Sequence, residues 1–210
     1  MGALRFCLDE NGPFLSDDKE MSTPPWANLR TLEEAARLFE QDENALEEKW
    51  IKQLIGPGSS LGGARPKSTV EDMDGSLWIA KFPSKHDEVD SGAWEMVAHD
   101  LAKMCGLDVP DAKLEKFSKL GSTFIVKRFD SETDRRIHFA SAMTMLGKTD
   151  GASAAENVSY LDIASFIRSN GAAQNKDLKE LWKRILIKKF NSFDRHYSVS
   201  AFFMRIEFLT

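Results

Sequence analysis

The spacing of hydrophobic and polar residues divides the first part of the chain into an irregular segment and two predicted helices. Residues 1–28 contain several prolines and no helical or strand period, which indicates irregular structure. In the next segment, TLEEAARLFEQ, Glu34 comes three residues after Thr31, the spacing of a capping box at the start of a helix. A second helix is predicted over residues 43–55, because its apolar residues recur at intervals of four. Those residues are Leu46, Trp50 and Leu54.

In the middle of the chain the pattern predicts β-strands around one helix. The sequence STVEDMDGSLWIAKFP predicts a hairpin, since Asp74–Gly75 is suited to the positive φ angles of a tight turn. A helix is predicted from Asp90 or Ser91 to a stop at Gly106. Its apolar stripe consists of Trp94, Val97, Ala98, Leu101 and Met104. Two further strands, in LDVPDAKLEKFS and STFIVKRFD, are predicted around a turn at Gly121.

The last third of the chain has a helical pattern. Candidate helices cover about residues 140–146, 159–168 and 177–193. A strand-rich segment with one helix, followed by a helical region, indicates the α+β class, with an antiparallel sheet packed against the helix. A basic run at residues 175–190 fits either the solvated face of a helix or a phosphate-binding patch.

Composition and charge exclude several classes of protein. The 210 residues are 42% hydrophobic and 10% aromatic, which excludes disorder of the whole chain. No window approaches the 18 or so uninterrupted apolar residues of a membrane-spanning helix. The first residues lack a signal-peptide core, so we expect a cytoplasmic location and no membrane partner. The two cysteines, Cys7 and Cys105, are too few for a disulfide scaffold or a four-thiolate zinc site.

Residues 56–67 form a glycine-rich segment ahead of the predicted hairpin. Glycine allows the backbone to approach an anion closely and to direct N–H groups at it. The glycines are Gly56, Gly58, Gly62 and Gly63, with hydroxyls from Ser59 and Ser60 and positive charge from Arg65 and Lys67. The spacing is not that of a Walker A loop, and no helix follows. An ordinary flexible connection is the alternative interpretation.

Lys81 lies among apolar residues in the predicted strand LWIAKFP. A buried ammonium needs a partner, and Glu95 on the following helix is the natural candidate. A glycine-rich loop, a hairpin, a strand lysine and a helix glutamate together have the layout of a protein-kinase small lobe. An edge strand with its amine in water is the alternative. In the same layout FIVKRFD, with Lys127 and Phe129, runs into a hinge, although a plain amphipathic strand explains it equally well.

Several segments in combination resemble the HipA family of toxin–antitoxin serine/threonine kinases. They are GGARPK, LWIAKFPS, DSGAWEMVAHDLAKMCGL, FIVKRFD and RRIHFASAMTMLG, and the resemblance covers roughly residues 1–187. It implies a kinase-like small lobe followed by the start of a helical lobe, with ATP and Mg²⁺ as cofactors. It implies nucleotide binding by Gly58, Ser59, Ser60, Gly62, Gly63, Lys67, Lys81, Glu95, Lys127 and Phe129. Ser60, with Ser59 beside it, lies where such kinases are autophosphorylated.

The end of the chain departs from the family pattern. The catalytic loop of the family reads like N-x-D-D-H-x-x-N, whereas this chain offers Asn191, Asp194 and His196 with the first spacing off by one. Neither Asn nor Asp occurs after Asp194, so the metal ligands stay unassigned and Asp194 is the one candidate catalytic residue. The family also has an N-terminal subdomain and a longer helical lobe. We therefore expect a fragment that binds ATP and is catalytically impaired.

These observations predict four regions and two candidate functions. The regions are an extension with two helices at 1–55, a kinase-like nucleotide-binding lobe at 56–130, a partial helical lobe at 131–190 and an atypical tail at 191–210. The first function is the HipA-like kinase fragment, and the alternative is a non-catalytic protein-binding module of a toxin–antitoxin system. The partners that the resemblance implies are a helix-turn-helix antitoxin, an aminoacyl-tRNA synthetase substrate and a complementary N-terminal subdomain chain. Nucleic acid would be reached only through the antitoxin.

Overall fold

The computed structural model describes residues 8–9, 23–41, 65–132, 135–149 and 158–191. The chain forms two compact units, one from residues 1–97 and 110–138 and the other from residues 98–109 and 139–210. The first unit contains the β-sheets and the second is helical in its described part. The predicted α+β class is therefore confirmed, whereas the four predicted region boundaries stay a prediction.

A four-stranded antiparallel sheet is the framework of the first unit. Its strands are β1 (Lys67–Glu71), β2 (Leu77–Lys81), β3 (Ala112–Glu115) and β4 (Thr123–Lys127), in the spatial order β1-β2-β4-β3. The predicted hairpin is confirmed, with Gly75 at a φ of 79° in the turn between β1 and β2. Two short strands, β5 (Ser131–Glu132) and β6 (Arg135–Arg136), form a separate ribbon that the sequence pattern did not predict.

A helix that precedes the sheet in the chain begins earlier than predicted. The helix α1 covers Leu29–Gln41 and follows a 3₁₀ turn at Trp26–Asn28. Thr31 therefore lies inside the helix, and the predicted capping box is wrong. The physical reason is that the 3₁₀ turn already supplies the first bonds, with the N–H of Asn28 donating to the Pro25 carbonyl. Glu34 instead pairs with Arg37 one turn later on the helix surface.

Helix α1 and one face of the sheet form the hydrophobic core of the first unit. The core residues are Leu29, Leu32 and Ala36 from α1 with Val70, Trp78, Ala80, Phe82 and Ile125 from the sheet and its margin. Burying a leucine of this kind stabilises a fold by about 1.5–3 kcal/mol relative to leaving it exposed. Because side chains alternate along a strand, Lys81 and Phe124 lie on the opposite face. The sheet thus has a packed face and a second face that carries charge.

One buried carboxylate lies in this core region. Glu33 of α1 is 3% exposed and accepts a hydrogen bond from the hydroxyl of Thr123 at the start of β4. Burial of such a group is costly unless hydrogen bonds compensate it. The contact joins residues 90 positions apart in the chain, so it was not evident from sequence periodicity.

Helix α2 covers Ser91–Met104, as the sequence predicts. Asp90 caps it by accepting from the N–H of Ala93, and Gly106 ends it at a φ of 67°. The predicted apolar stripe, however, is largely exposed. Trp94, Val97, Leu101 and Met104 all lie at the surface, and Ala98 alone of that stripe is buried. Ala98 and Ala102 are buried instead, and Gly92 allows the start of the helix to approach the backbone of Ser122 closely.

In its described part, the second unit contains three further helices. They are α3 (Ala142–Met145), α4 (Tyr160–Asn170) and α5 (Gln174–Asn191), close to the predicted segments. Ser159 and Asp162 form a reciprocal capping box that fixes the start of α4.

The basic run on α5 is not simply a solvated surface. Lys183 donates to the carbonyls of Cys105 and Gly106 at 3.2 and 3.3 Å. Arg184 is nearly buried and donates to the carbonyl of Asp108 at 2.6 Å and to Glu180 at 2.7 Å. These two cations therefore satisfy carbonyl groups at and beyond the C-terminus of α2, where positive charge is favourable.

We expect Gly92→Ala to destabilise the first unit. A methyl group at Gly92 would overlap the backbone carbonyl of Ser122, so α2 would have to move away from the start of β4. The cost of such overpacking is about 1–3 kcal/mol, measurable as a lower urea midpoint. Lys103→Ala, at an exposed position of the same helix, is the control and should change stability by less than about 0.5 kcal/mol. Equal midpoints for Gly92→Ala and the wild type would contradict this account.

Candidate functional site

Lys81 and Glu95 form an ion pair between the sheet and helix α2. The distance from Nζ of Lys81 to Oε2 of Glu95 is 2.6 Å, and the two side chains are 16% and 14% exposed. The Lys81 ammonium also lies 5.6 Å from the ring centroid of Phe124, its neighbour on β4. Because Ala80 and Phe82 on either side are fully buried, the strand holds the base of Lys81 firmly. The sequence-based pairing of Lys81 with Glu95 is present in the structure.

A second lysine lies beside this pair. Lys67 on β1 is directly opposite Lys81 in the hairpin, so both side chains lie on the same face of the sheet. Burial lowers the pKa of Lys67, repulsion from Lys81 lowers it further, and Glu95 partly offsets both effects. Its Nζ donates to the backbone carbonyl of Arg65 at 3.2 Å. Two like charges therefore share one partly buried carboxylate.

Two contacts fix helix α2 against the sheet and thereby fix Glu95. Asp90 accepts from the N–H and the hydroxyl of Ser122 at 2.9 and 2.8 Å. Burial tends to raise the pKa of Asp90, but bonds from Ser122 and Ala93 prevail and lower it. Gly92 contributes by the absence of a side chain where the helix meets Ser122. Glu95 lies about one turn further along, so its position follows from this junction.

Asp87 joins three segments around the lysines. It receives a two-bond ion pair from Arg65, at 3.0 and 2.5 Å, just ahead of β1. It also accepts from the N–H of Ser84 at 2.9 Å and from the hydroxyl of Ser91 at 3.0 Å. Burial raises the pKa of Asp87, and the bonds from Arg65, Ser84 and Ser91 outweigh it, so the pKa is lowered. Sequence reasoning missed Asp87, because its partners come together only in the folded chain.

Lys127, one of the two predicted hinge residues, lies on the opposite face of the sheet from Lys81. Lys127 is directly opposite Trp78, with its ammonium 5.9 Å from the indole ring centroid. Trp78 belongs to the face packed on α1, so the Lys127 ammonium lies on the opposite face from Lys81. Phe129 follows β4 and is half-buried.

Arg128, which lies between Lys127 and Phe129, reaches the charged face of the sheet. It donates to the hydroxyl of Thr69 at 3.2 Å and forms a two-bond pair with Asp130 at 2.8 and 2.6 Å. Because Thr69 lies two residues from Lys67 on β1, both side chains are on the same face of the sheet. The sequence had assigned no role to Arg128.

The remaining predicted site residues lie outside the described residues. They are Gly58, Ser59, Ser60, Gly62 and Gly63 of the glycine-rich segment and Asp194 of the tail. Within the described ranges, no group of three or more His, Cys, Asp or Glu side chains could hold a metal ion. Lys67, Lys81 and Glu95 are the predicted residues that the structure brings together.

Comparison with known families is consistent with this arrangement. Residues 59–196 match the family model of the HipA-like C-terminal domain. The chain belongs to this family. The match covers the charged face of the sheet as well as helices α2 to α5, and family membership fits a toxin–antitoxin context.

A search of curated proteins found no match. No helix in the described part of this HipA-like chain is long and apolar enough to span a membrane.

The charged face of the HipA-like domain is suited to an anion. Lys67 and Lys81 are neighbouring cations on this face, and Glu95 forms an ion pair with Lys81. Glu95 directs the Lys81 ammonium, while Lys67 is held by a neutral carbonyl. An anion with several oxygens would reduce the repulsion between the two lysines, whereas a neutral ligand would not.

Acid should weaken the junction between the sheet and α2. The pKa values of Asp87 and Asp90 are lowered below the ordinary value of about 3.9, so near that pH the unfolded state binds more protons than the folded state. Their contribution to stability is therefore complete above about pH 4 and is lost as the pH falls through the folded-state values.

We expect the urea midpoint to fall steeply below about pH 4, and to fall less steeply in the Asp87→Asn/Asp90→Asn variant. The double variant should be less stable than the wild type at neutral pH, and the two should converge in acid. Parallel curves over this range would show that the two carboxylates do not govern the acid response.

Proposed function

We propose that this HipA-like domain binds ATP as a kinase-like fold does, with Lys81 on the phosphates and Glu95 orienting Lys81. The observation that carries the proposal is the 2.6 Å pair between a strand lysine and a helix glutamate on one face of an antiparallel sheet. In protein kinases the equivalent pair must be in place for phosphoryl transfer. The family match supports the same assignment without testing it.

The residues on the charged face suit the triphosphate of ATP. A polyphosphate requires cations, and Lys67 and Lys81 lie in directly opposed positions on neighbouring strands. Binding a phosphate oxygen would favour the charged form of Lys67, which burial and Lys81 disfavour in the free protein. Helix α1 covers the other face, so the ligand would lie on the side of α2.

Each residue has a separate role in this proposal. ATP supplies the transferable phosphoryl group. Lys81 and Lys67 bind phosphate oxygens, and Glu95 keeps the Lys81 ammonium in one direction so that little side-chain freedom is lost on binding. We propose that Gly58, Gly62 and Gly63 present backbone N–H groups to the same phosphates. For Lys127 and Phe129 we propose backbone contact with adenine.

We also propose that phosphoryl transfer by this chain is impaired. Asn191 and Asp194 are one residue further apart than the N and first D of the family pattern N-x-D-D-H-x-x-N. When Asp194 and His196 are aligned with the first D and the H of that pattern, Val199 occupies the position of its last Asn. Loss of one preorganised electrostatic group typically lowers a rate by about 10²–10³-fold. Asp194 alone would then be insufficient for measurable turnover.

The partners are proposed on family membership alone. A helix-turn-helix antitoxin and an aminoacyl-tRNA synthetase substrate follow from the kinase assignment, with nucleic acid reached through the antitoxin. The alternative, a non-catalytic binding module, retains the antitoxin and needs no nucleotide. The two functions therefore differ in whether Lys81 matters for ligand binding.

Lys81→Met should weaken the binding of Mg-ATP by at least about tenfold, because a charged hydrogen bond to phosphate is lost. Isothermal titration calorimetry of the 210-residue chain measures this directly. Lys113→Met is the matched control, since Lys113 lies on the α1 face, 4.3 Å from the Trp26 ring centroid. Its affinity should stay within about twofold of the wild type. Equal binding by wild type and Lys81→Met, or none by either, would favour the binding module.

Incubation of the purified chain with Mg-ATP should leave Ser59 and Ser60 unphosphorylated. The reason is the departure of the Asn191–Asp194 segment from the family pattern. Mass spectrometry of the two serines is the measurement, with Lys81→Met as the background control. Phosphate on either serine in the wild type, absent from Lys81→Met, would restore the active-kinase interpretation.

A further inference from the structure

Asp87 contacts two segments that border the charged face of the sheet. One is the segment ahead of β1, where Arg65 forms a two-bond ion pair with the Asp87 carboxylate. The other is the first residue of α2, where Ser91 donates its hydroxyl to the same carboxylate. Asp87 therefore connects two segments that are distant in sequence and that hold different members of the lysine–glutamate group.

The first connection leads to Lys67. Arg65 uses its guanidinium for Asp87 and its backbone carbonyl for the Nζ of Lys67, at 3.2 Å. The pair is largely shielded from solvent, with the two side chains 23% and 13% exposed. A two-bond arginine–carboxylate pair is geometrically restrictive, so it fixes the Arg65 backbone and the acceptor of Lys67 with it.

The second connection leads to Lys81. Ser91 begins α2, and Glu95 lies four residues later on the same helix. Holding Ser91 therefore restricts where the Glu95 carboxylate meets the Lys81 ammonium. Asp87 also accepts from the N–H of Ser84, three residues after Lys81, which closes the turn that follows β2.

We propose that Asp87 is a positioning residue that holds Lys67 and Lys81 in one arrangement, so that both ammonium groups face a bound polyphosphate together. The inference deepens the proposed function and rests on it. Asp87 would touch no substrate, and its effect would pass through Arg65 to Lys67 and through Ser91 and Glu95 to Lys81. If Asp87 contributed to stability alone, its replacement would affect ligand binding no more than replacement of another buried aspartate that pairs with an arginine.

The chain offers a matched aspartate for comparison. Asp130 pairs with Arg128 through two bonds and is 5% exposed in its side chain, against 13% for Asp87. The Asp130 carboxylate holds Arg128, which in turn donates to Thr69, and the Asp130 backbone carbonyl accepts from the N–H of Ile137. These contacts do not lead to Arg65 or Ser91. Asp130→Asn thus removes the same kind of interaction from the same unit.

The experiment measures binding of inorganic tripolyphosphate and of Mg-ATP to the 210-residue chain by calorimetry, at a temperature where every variant is folded. Asp87→Asn should weaken both ligands by about five- to tenfold. The affinity of Asp130→Asn for both ligands should stay within about twofold of the wild-type value, even if its melting temperature falls as much as that of Asp87→Asn. Ser91→Ala removes the second connection alone and should give a smaller loss than Asp87→Asn.

A double variant separates positioning from direct contact. If Asp87 acts on Lys67 through Arg65, Arg65→Gln should lose no more affinity than Asp87→Asn, and Arg65→Gln/Asp87→Asn should match Asp87→Asn to within about twofold. Additive losses would mean that Arg65 binds the anion itself, and that outcome would overturn the proposal. Unchanged or tighter binding by Asp87→Asn would also overturn it, as would equal losses in Asp87→Asn and Asp130→Asn.

A ligand-free readout distinguishes failure of this inference from failure of the proposed function. The pKa of Lys67, measured by NMR of labelled lysines, should rise toward its ordinary value in Asp87→Asn as Lys67 moves away from Lys81 and becomes hydrated. Among the described residues, Lys81 on β2 and Glu95 on α2 act on the pKa of Lys67. Removing the negative charge of Asp87 without movement would lower the Lys67 pKa instead.

The two readouts give separate conclusions. If neither anion binds the wild type but the Lys67 pKa rises in Asp87→Asn and not in Asp130→Asn, the proposed function fails and the positioning role stands. A Lys67 pKa that is unchanged or lowered in Asp87→Asn would refute the positioning role, whatever the wild type binds.

Discussion

The ion pair between Lys81 and Glu95 is the interaction on which the charged face depends. A largely buried ammonium is costly unless a carboxylate compensates it, and the Lys81 side chain is 16% exposed, so its carboxylate must come from a neighbouring element. Helix α2 can supply it only if the helix lies close to the sheet. The absence of a side chain at Gly92 and the bonds from Ser122 to Asp90 provide that approach. The close contact between α2 and the sheet therefore follows from the need to pair Lys81, and Lys67 lies beside that pair.

The two faces of the sheet have different tasks. Helix α1 covers one face and supplies the apolar core, with Leu29 and Leu32 against Trp78 and Ile125. The opposite face is thereby left to carry charge without weakening the core. The same division explains the placement of Lys113 and Lys127 near Trp78, where an ammonium interacts with an indole ring. Strand alternation separates these lysines from Lys67 and Lys81 by the thickness of the sheet.

Much of the local structure followed from sequence pattern. The hairpin at Asp74–Gly75, the course of α2 and the helical last third are local features, governed by turn chemistry and periodicity that a short window contains. The start of α1 did not follow, because a 3₁₀ turn ahead of Leu29 replaced the capping box expected at Thr31. The stripe of α2 was also misleading, since large residues such as Trp94 and Met104 are exposed and Ala98 and Ala102 are buried.

For the candidate site, the sequence pattern indicated Glu95, fourteen positions after Lys81, as the candidate partner of that lysine, with an amine in water on an edge strand as the alternative. It also indicated a resemblance to the HipA family, and the match of residues 59–196 to the HipA-like C-terminal domain confirms the family. Three features became evident only in the folded chain. Lys67 lies beside Lys81, and the Lys127 side chain lies on the other face of the sheet. Asp87 joins Arg65 to Ser91. The physical reason is that strand register and backbone approach depend on contacts across the whole unit. A periodic pattern reports only which side of its own element a residue occupies.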